Sequence, residues 1–242
     1  MTVKLGVLYG IGVGPGDPEL ITVKGARLLS NCRHLFVPKA RIKAESVALD
    51  IVKSYVNGNA KIHELVFPMV TDKKVLSEKW EESAKAIAGA LATGADACFV
   101  TLGDSLLYST YIYLLRELKK TLPGVKIVTV PGVTAFSAVA AITNFPLGEG
   151  KEPLTVVPAS DDLSAVENAL KGEGTVILMK VGKRLPGILA LLDKENLLDD
   201  AVFVANAGMK NERVETDLRR LFSESPETGY LSTILVHKGR GF

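Results

Sequence analysis

Gly10-Ile11-Gly12-Val13-Gly14-Pro15-Gly16-Asp17-Pro18 follows the apolar, β-like run Leu5 to Ile11. It reads as a strand that turns sharply into a helix. Two later stretches repeat the pattern. Thr101-Leu102-Gly103-Asp104-Ser105 follows Ala97-Cys98-Phe99-Val100, and Pro131-Gly132-Val133-Thr134-Ala135 follows Ile127-Val128-Thr129-Val130. Open α/β sheets bind ligands at the loops that leave their strand ends. Glycine there lets the backbone approach a ligand closely. Three such loops imply one small-molecule site built mainly from main chain.

The first loop does not suit a dinucleotide. A Gly-x-Gly-x-x-Gly pattern started at Gly10 meets Pro15, and started at Gly12 it meets Asp17. The Gly-Lys-Ser/Thr of a phosphate-gripping loop is also missing. Asp17 and Pro18 are expected to cap and open the next helix. Asp17 and Glu19 then stand where a phosphate would have to sit.

The 242 residues fit one large or two small domains, with 47% hydrophobic residues to build a core and an ordinary 23% charged. A net charge of +2 without a basic block interleaved with aromatics gives no footprint for nucleic acid. Lys119-Lys120 and Arg219-Arg220 read as solvated helix faces. Cys32 and Cys98 lack metal-ligand spacing and read as buried free thiols of a reducing cytosol. The opening residues run straight into the first loop, so no secretory signal is expected. The apolar stretch Val133 to Leu147 is too short to span a bilayer. A cytoplasmic location and no membrane partner are expected.

Periodicity gives alternating elements. Strands are expected at Leu5–Ile11, His34–Val37, Ile62–Val66, Ala95–Val100, Val125–Val130, Leu154–Val157, Thr175–Met179 and Ala201–Ala205. Helices are expected at Pro18–Leu29, Glu45–Tyr55, Lys74–Leu91, Tyr108–Leu118 and Ala135–Ile142. Leu76, Trp80, Ala84, Ile87 and Leu91 form the apolar stripe of the long third helix. Arg213–Asp217 and Leu231–Val236 read as antiparallel strands because their connections are short. The βαβα order predicts a mostly parallel first sheet. Leu122-Pro123-Gly124 breaks the pattern and marks the expected boundary. The result is two α/β domains, 1–122 with the first two loops and 123–242 with a mixed sheet and the third loop. The active site is expected in the cleft between them.

Taken together, Val13-Gly14-Pro15-Gly16-Asp17-Pro18-Glu19-Leu20-Ile21-Thr22, Leu102-Gly103-Asp104-Ser105 and Pro131-Gly132-Val133-Thr134-Ala135 resemble the tetrapyrrole methylase family over essentially the whole chain. That family transfers methyl groups from S-adenosylmethionine. One departure is Ser105, where the family usually has proline; a serine is expected to cap the following helix instead. Four segments are most similar to the branch that methylates carbon 20 of precorrin-2 or cobalt-factor II in cobalamin biosynthesis. They are Phe67-Pro68-Met69, Thr101 to Tyr111 with its Tyr-Ser-Thr run, Pro131 to Ala138, and Leu178-Met179-Lys180-Val181-Gly182. Other ring positions, a diphthine synthase-like protein methylase and a non-catalytic S-adenosylmethionine sensor are the rival readings.

The resemblance implies roles by position. Pro15 lies at the cleft floor. Leu102, Gly103, Asp104 and Leu107 hold the methionine part of the cofactor, and Thr134 and Ala135 contact it. Met179, Lys180, Val181, Ala207 and Gly208 supply further cofactor positions. The chain is expected to be a homodimer, as family members commonly are. No protein-held metal is expected; any cobalt arrives inside the substrate.

In-line positioning of a sulfonium methyl and an electron-rich ring carbon could supply about 7–11 kcal/mol of the barrier. Methylated carbon 20 must lose a proton. Asp104, Tyr108, Tyr111 and Lys180 are candidates for that base, set against helix packing for the tyrosines and a solvated strand-end lysine for Lys180. His34, His63 and His237 read as scattered, satisfied histidines. Asp104 is expected to serve cofactor binding more than fold. Lys39, Arg41 and Lys43 are expected to rim the substrate trough, because tetrapyrroles carry several carboxylates.

Overall fold

The computed structural model describes residues 4–40, 45–68, 70 and 72–238. The chain divides into two compact units, Met1–Thr134 and Ala135–Phe242.

The first unit contains the strands β1 (Val7–Gly12), β2 (His34–Lys39), β3 (Lys61–Val66), β4 (Ala97–Thr101) and β5 (Lys126–Val130). Its helices are α1 (Val23–Ser30), α2 (Val47–Val52), α3 (Lys73–Leu91) and α4 (Tyr111–Thr121). The strands form one sheet in the order β3-β2-β4-β1-β5, and every pairing is parallel. Side chains alternate across it as a strand requires. Ile11, Leu35, Val37, Cys98 and Val100 pack with Leu29 of α1 and Ile51 of α2. Leu8, Phe36, Ala97 and Phe99 pack on the other face with Ile87 of α3 and Leu114 of α4. The expected stripe of α3 holds: Ala84, Ile87 and Leu91 are buried and Trp80 packs against the same cluster.

The boundary is the main correction. Lys126–Val130 pairs with β1 (Ile127 opposite Leu8) and closes the first sheet. The first unit therefore runs to Thr134, past the Pro123-Gly124 turn, and Pro131–Thr134 of the third loop belongs to it. Pro123-Gly124 is only the turn that brings the chain from α4 back to the sheet. Asp17 does cap, by accepting the Glu19 amide at 2.8 Å, but what it caps is the single 3-10 turn Pro18–Leu20. The helix proper starts after Thr22, whose hydroxyl accepts the Gly25 amide at 3.1 Å. Cys32 and Cys98 are free and buried, as expected.

In the second unit, α5 (Ala135–Thr143), α6 (Ser164–Lys171) and α7 (Leu185–Lys194) cover a sheet of β6 (Leu154–Pro158), β7 (Thr175–Met179), β8 (Ala201–Ala205), β9 (Arg213–Glu215) and β10 (Ser232–His237). The order is β6-β7-β10-β8-β9. β6 and β7 are parallel, and β10 runs antiparallel to both β7 and β8. This is the expected mixed sheet. The helices α6 and α7 carry no expectation from the sequence. Val166, Leu170, Leu185, Ile188, Leu189 and Leu192 give them an apolar face on the largest core cluster. Pro186 and Gly187 in the first turn of α7 disguise it as a loop; proline there is a normal helix opener.

Candidate functional site

β1 leads through α1 toward β2, while its neighbour β4 leads through α4 the other way, to β5. The connections α1 and α4 lie on opposite faces of the sheet. Adjacent strands whose exits diverge leave a crevice at their carboxyl ends, which is where open α/β sheets place ligands. All three glycine loops stand at that end.

They are held together by main chain. The Val13 amide donates to the Thr101 carbonyl at 3.0 Å, the Gly14 amide to the Gly103 carbonyl at 3.2 Å, and the Gly103 amide back to the Gly14 carbonyl at 2.8 Å. Glycine is required where the third loop crosses. A Cβ on Gly132 would lie 2.2 Å from the Gly103 carbonyl oxygen and 2.6 Å from the Gly12 carbonyl carbon. Backbone cannot yield as a side-chain tip can, so three chain segments meet at a distance only glycine allows. Gly103 itself has φ +69°, and no protein atom stands within 4 Å of where its Cβ would be. On that side its backbone faces open space.

The sequence-derived residues sort clearly. Pro15 is buried beneath the first loop, and Leu102, Asp104 and Leu107 are half-buried around the second. Asp104 does more than present a charge. Its Oδ1 accepts the Leu106 amide at 2.8 Å and its Oδ2 accepts the Gly132 amide at 3.0 Å. Ser105 does not cap α4. It is fully buried and its Oγ donates to the Val130 carbonyl at 2.9 Å. α4 starts only at Tyr111.

Tyr111 is a core residue rather than an exposed base. It is fully buried, stacks on Phe99 with centroids 5.6 Å apart, and its hydroxyl lies 3.2 Å from Thr129 Oγ1. Burial pushes its hydroxyl pKa up. Its ring occupies the space a Cβ on Gly10 would need, which explains that glycine inside β1. Tyr108, 38% exposed, adopts φ +50°.

Lys39 is not a free rim cation: its amine pairs with Glu64 at 3.0 Å and its side chain is only 10% exposed. Arg41, Lys43 and Met69 lie outside the described residues. The histidines are less scattered than their spacing implies. His34 Nδ1 and His63 Nε2 are 3.1 Å apart, and Phe36 stacks on the His63 ring. Buried His237 sits 3.2 Å from Glu152.

The second unit gathers its own set. Met179-Lys180-Val181 leaves β7 and Asn206-Ala207-Gly208 leaves β8, at the same sheet end, with Leu231-Ser232 of the intervening β10 between them. The Asn206 amide donates to the Leu231 carbonyl at 3.0 Å. Val181 and Ala207 are buried, so they shape this edge from beneath. Lys180, Asn206 and Leu231 all adopt left-handed φ, of +57°, +53° and +48°. Asparagine adopts that conformation readily, whereas it costs Lys180 and Leu231 of order 1–2 kcal/mol each, and such residues tend to cluster at functional sites. Sequence reading could name the segments but not this strain. Desolvation lowers the pKa of the Lys180 amine although its side chain stays exposed.

The loop geometry and the sequence now meet an independent observation: the model for the Tetrapyrrole (Corrin/Porphyrin) Methylases matches residues 7–221. The chain belongs to the tetrapyrrole methylase family. It is 35% identical to the cobalt-precorrin-2 C(20)-methyltransferase of Salmonella typhimurium over 96% of this chain and 97% of that one. The crystal structure of a cobalt precorrin-4 methyltransferase superposes with a TM-score of 0.74 at 22% identity, over 96% of this chain and 94% of its own. The uroporphyrin-III C-methyltransferase of Thermus thermophilus, solved in complex with S-adenosyl homocysteine, gives 0.62 at 18% identity, over 96% and 98%. At these identities the two structures establish the shared fold.

Proposed function

We propose that this methylase transfers a methyl group from S-adenosylmethionine to carbon 20 of precorrin-2 or its cobalt form, in cobalamin biosynthesis. The observation that carries the reading is the near end-to-end 35% identity to a cobalt-precorrin-2 C(20)-methyltransferase. The residues of the three loops fit the cofactor. They offer main-chain groups, open space at Gly103 and the carboxylates of Asp17, Glu19 and Asp104, with no lysine or arginine between Gly10 and Ile21 or between Thr101 and Leu107. That set suits a phosphate-free cation and disfavours a pyrophosphate.

When bound, S-adenosylmethionine supplies an electrophilic sulfonium methyl. The chain's own contribution is positioning. Gly12, Gly103 and Gly132 lock three strand ends into one main-chain surface. Leu102 and Leu107 give it apolar walls, and Pro15, Thr134, Ala135, Met179, Lys180, Val181, Ala207 and Gly208 are assigned to the cofactor by their place in the family pattern. Carbon 20 needs a proton acceptor that solvent and substrate can reach. Burial removes Tyr111 from the candidates, and two amide hydrogen bonds commit the Asp104 carboxylate to holding the loops. Tyr108 and Lys180 are the accessible pair, and the lowered pKa of Lys180 raises the share of its neutral, proton-accepting form.

The test is turnover of precorrin-2 with and without cobalt, using isotope-labelled cofactor. One added methyl, located on carbon 20 by NMR, is the expected product. A methyl on another ring carbon would keep the family and refute the position; methylation of a protein acceptor alone would favour the diphthine synthase-like reading. We further infer a cytoplasmic homodimer. No described helix is long and apolar enough to cross a membrane. The dimer is carried over from the family, and light scattering showing only a 25.9 kDa species would refute it.

A further inference from the structure

β4 and β5 are not neighbours; β1 lies between them. Their exit loops therefore have no ladder of their own to hold them in register. Two consecutive side chains bridge that gap. Asp104 Oδ2 accepts the Gly132 amide at 3.0 Å, and the fully buried Ser105 Oγ donates to the Val130 carbonyl at 2.9 Å. Both bonds reach across the end of β1, where glycine at 12 and 132 admits the Gly103 carbonyl, 2.7 Å and 2.2 Å from the two Cβ positions.

We propose that Asp104 and Ser105 form a two-point staple that fixes the second and third glycine loops as one ligand surface, and that both are positioning residues for cofactor binding. Four features support this. The bonds run in opposite senses, one accepting an amide and one giving a proton to a carbonyl, so together they fix both the height and the tilt of the third loop over β1. Asp104 Oδ1 is tied back to the Leu106 amide at 2.8 Å, so the carboxylate is itself held before it reaches Gly132. The Gly132 amide also meets a charged acceptor, the stronger class of partner. Losing the Ser105 hydroxyl would leave the Val130 carbonyl without that partner in a buried setting, the costly way to remove a hydrogen bond.

A second linkage holds the layer beneath. Thr101 Oγ1 and Ser109 Oγ are 2.9 Å apart, Ser109 Oγ accepts the Tyr111 amide at 3.1 Å, and the Tyr111 hydroxyl reaches Thr129. That layer anchors α4 to β5 and leaves the staple to set only the outermost turn. Disrupting the staple should therefore displace the ligand-facing main chain without unfolding the sheet. In this chain a serine stands where the family pattern usually has proline, and a proline, having no side-chain donor, could not make the Ser105 arm.

The inference rests on the proposed use of S-adenosylmethionine, and the test separates the two. The probe is S-adenosylhomocysteine, titrated by calorimetry into the wild type, Ser105→Ala and Asp104→Asn, alongside hydrogen exchange of the Gly132 amide in the free proteins. With the staple intact, the Gly132 amide exchanges slowly. In Asp104→Asn it should exchange at least about tenfold faster, since the charged acceptor is lost. Each variant should bind the probe about tenfold more weakly. KM for the cofactor should rise while KM for the tetrapyrrole stays within about twofold, a split that general loosening of the fold would not give. Wild-type-like binding in both variants, or unchanged Gly132 exchange in Asp104→Asn, would overturn the staple. A wild type that binds no probe while Gly132 exchange still responds would refute the cofactor reading and leave the staple as a structural device. Should Ser105→Ala fail to fold, Asp104→Asn carries the test alone.

Discussion

The two sheet ends share close glycine contacts but differ in where they place left-handed backbone. In the first unit, the carboxyl end of the sheet is shaped by glycines that let main chain approach main chain, with Gly12, Gly103 and Gly132 in mutual contact. In the second, the edge formed by the exits of β7 and β8 and the start of β10 also uses glycine, with Gly229 against the Gly182 backbone and Gly208 at φ +74°, but it bends as well through Lys180, Asn206 and Leu231. Glycine announces itself in a sequence; a lysine or leucine forced into left-handed backbone does not. At the first edge three loops give up side chains for close packing. The second adds left-handed Lys180 and Leu231 to its glycine contacts, an arrangement suited to places where a side chain is needed for function.

The sharpest way to break this comparison is to put a methyl group into the first edge. Gly132→Ala would set a Cβ against the Gly103 carbonyl oxygen at 2.2 Å and the Gly12 carbonyl at under 3 Å, with backbone on both sides. We expect a loss of about 3 kcal/mol, at the upper end of overpacking effects, together with loss of cofactor binding. Urea unfolding and calorimetric titration check it. A variant as stable and as tight as wild type would show that the three loops do not depend on glycine contact.

The second edge predicts a change of the opposite sign. Lys180→Gly relieves a left-handed residue without emptying a core. The gain from relieved strain, offset by the extra freedom of glycine in the unfolded chain, is of order 1 kcal/mol. Activity should fall at the same time, because the amine is lost. Thermal unfolding and kcat together decide it. A variant both less stable and fully active would mean that the backbone there is unstrained and the lysine incidental.

Tyr111→Phe tests the line between core and chemistry in the first unit. Removing the hydroxyl costs its bond to Thr129, about 1 kcal/mol or less for a contact at 3.2 Å. The ring keeps its stack on Phe99 and its place over Gly10, so kcat should change by less than about twofold. A large fall in kcat would restore Tyr111 as a catalytic group.

These contrasts also explain what the sequence could disclose. The alternating pattern, a mostly parallel first sheet, the mixed second sheet and the three loops were legible because strand periodicity and glycine leave marks in the chain. The boundary was misplaced because Pro123-Gly124 looks like a linker, while the pairing of Ile127 with Leu8 is a long-range fact no local signal carries. The helices α6 and α7 were missed because they are short, and α7 opens on Pro186-Gly187. The rim assigned to Lys39 failed because its partner, Glu64, comes from the neighbouring strand. The Asp104–Gly132 bond spans 28 residues and was invisible for the same reason. Sequence reading named the three loops and could not see what ties them together.

The smallest expected effect lies away from both edges, where β2 and β3 bring His34 and His63 within 3.1 Å. A shared hydrogen bond between two imidazoles needs at least one of them neutral. Burial lowers the His63 pKa, and the nearby His34 and Lys61 lower it further. The sign follows from linkage. A group whose folded pKa is depressed contributes stability that is fully present above its unfolded value, about 6.5 for histidine, and is lost as pH falls through the lower folded value. The protein should therefore lose a small increment of thermal stability as pH drops below about 6.5. Carboxylates such as Glu167, Asp199 and Glu224, whose pKa values are also lowered, by Lys194, Arg219 and Arg213, add their own losses only at more acidic pH. His63→Gln keeps a side chain able to hydrogen-bond while removing the titration, and should flatten the slope between about pH 6.5 and 5 without moving the cofactor affinity. An unchanged slope in this variant would show that the histidine pair is not a source of acid sensitivity. A change in cofactor affinity would tie this edge of the sheet to the glycine loops, against the separation argued above.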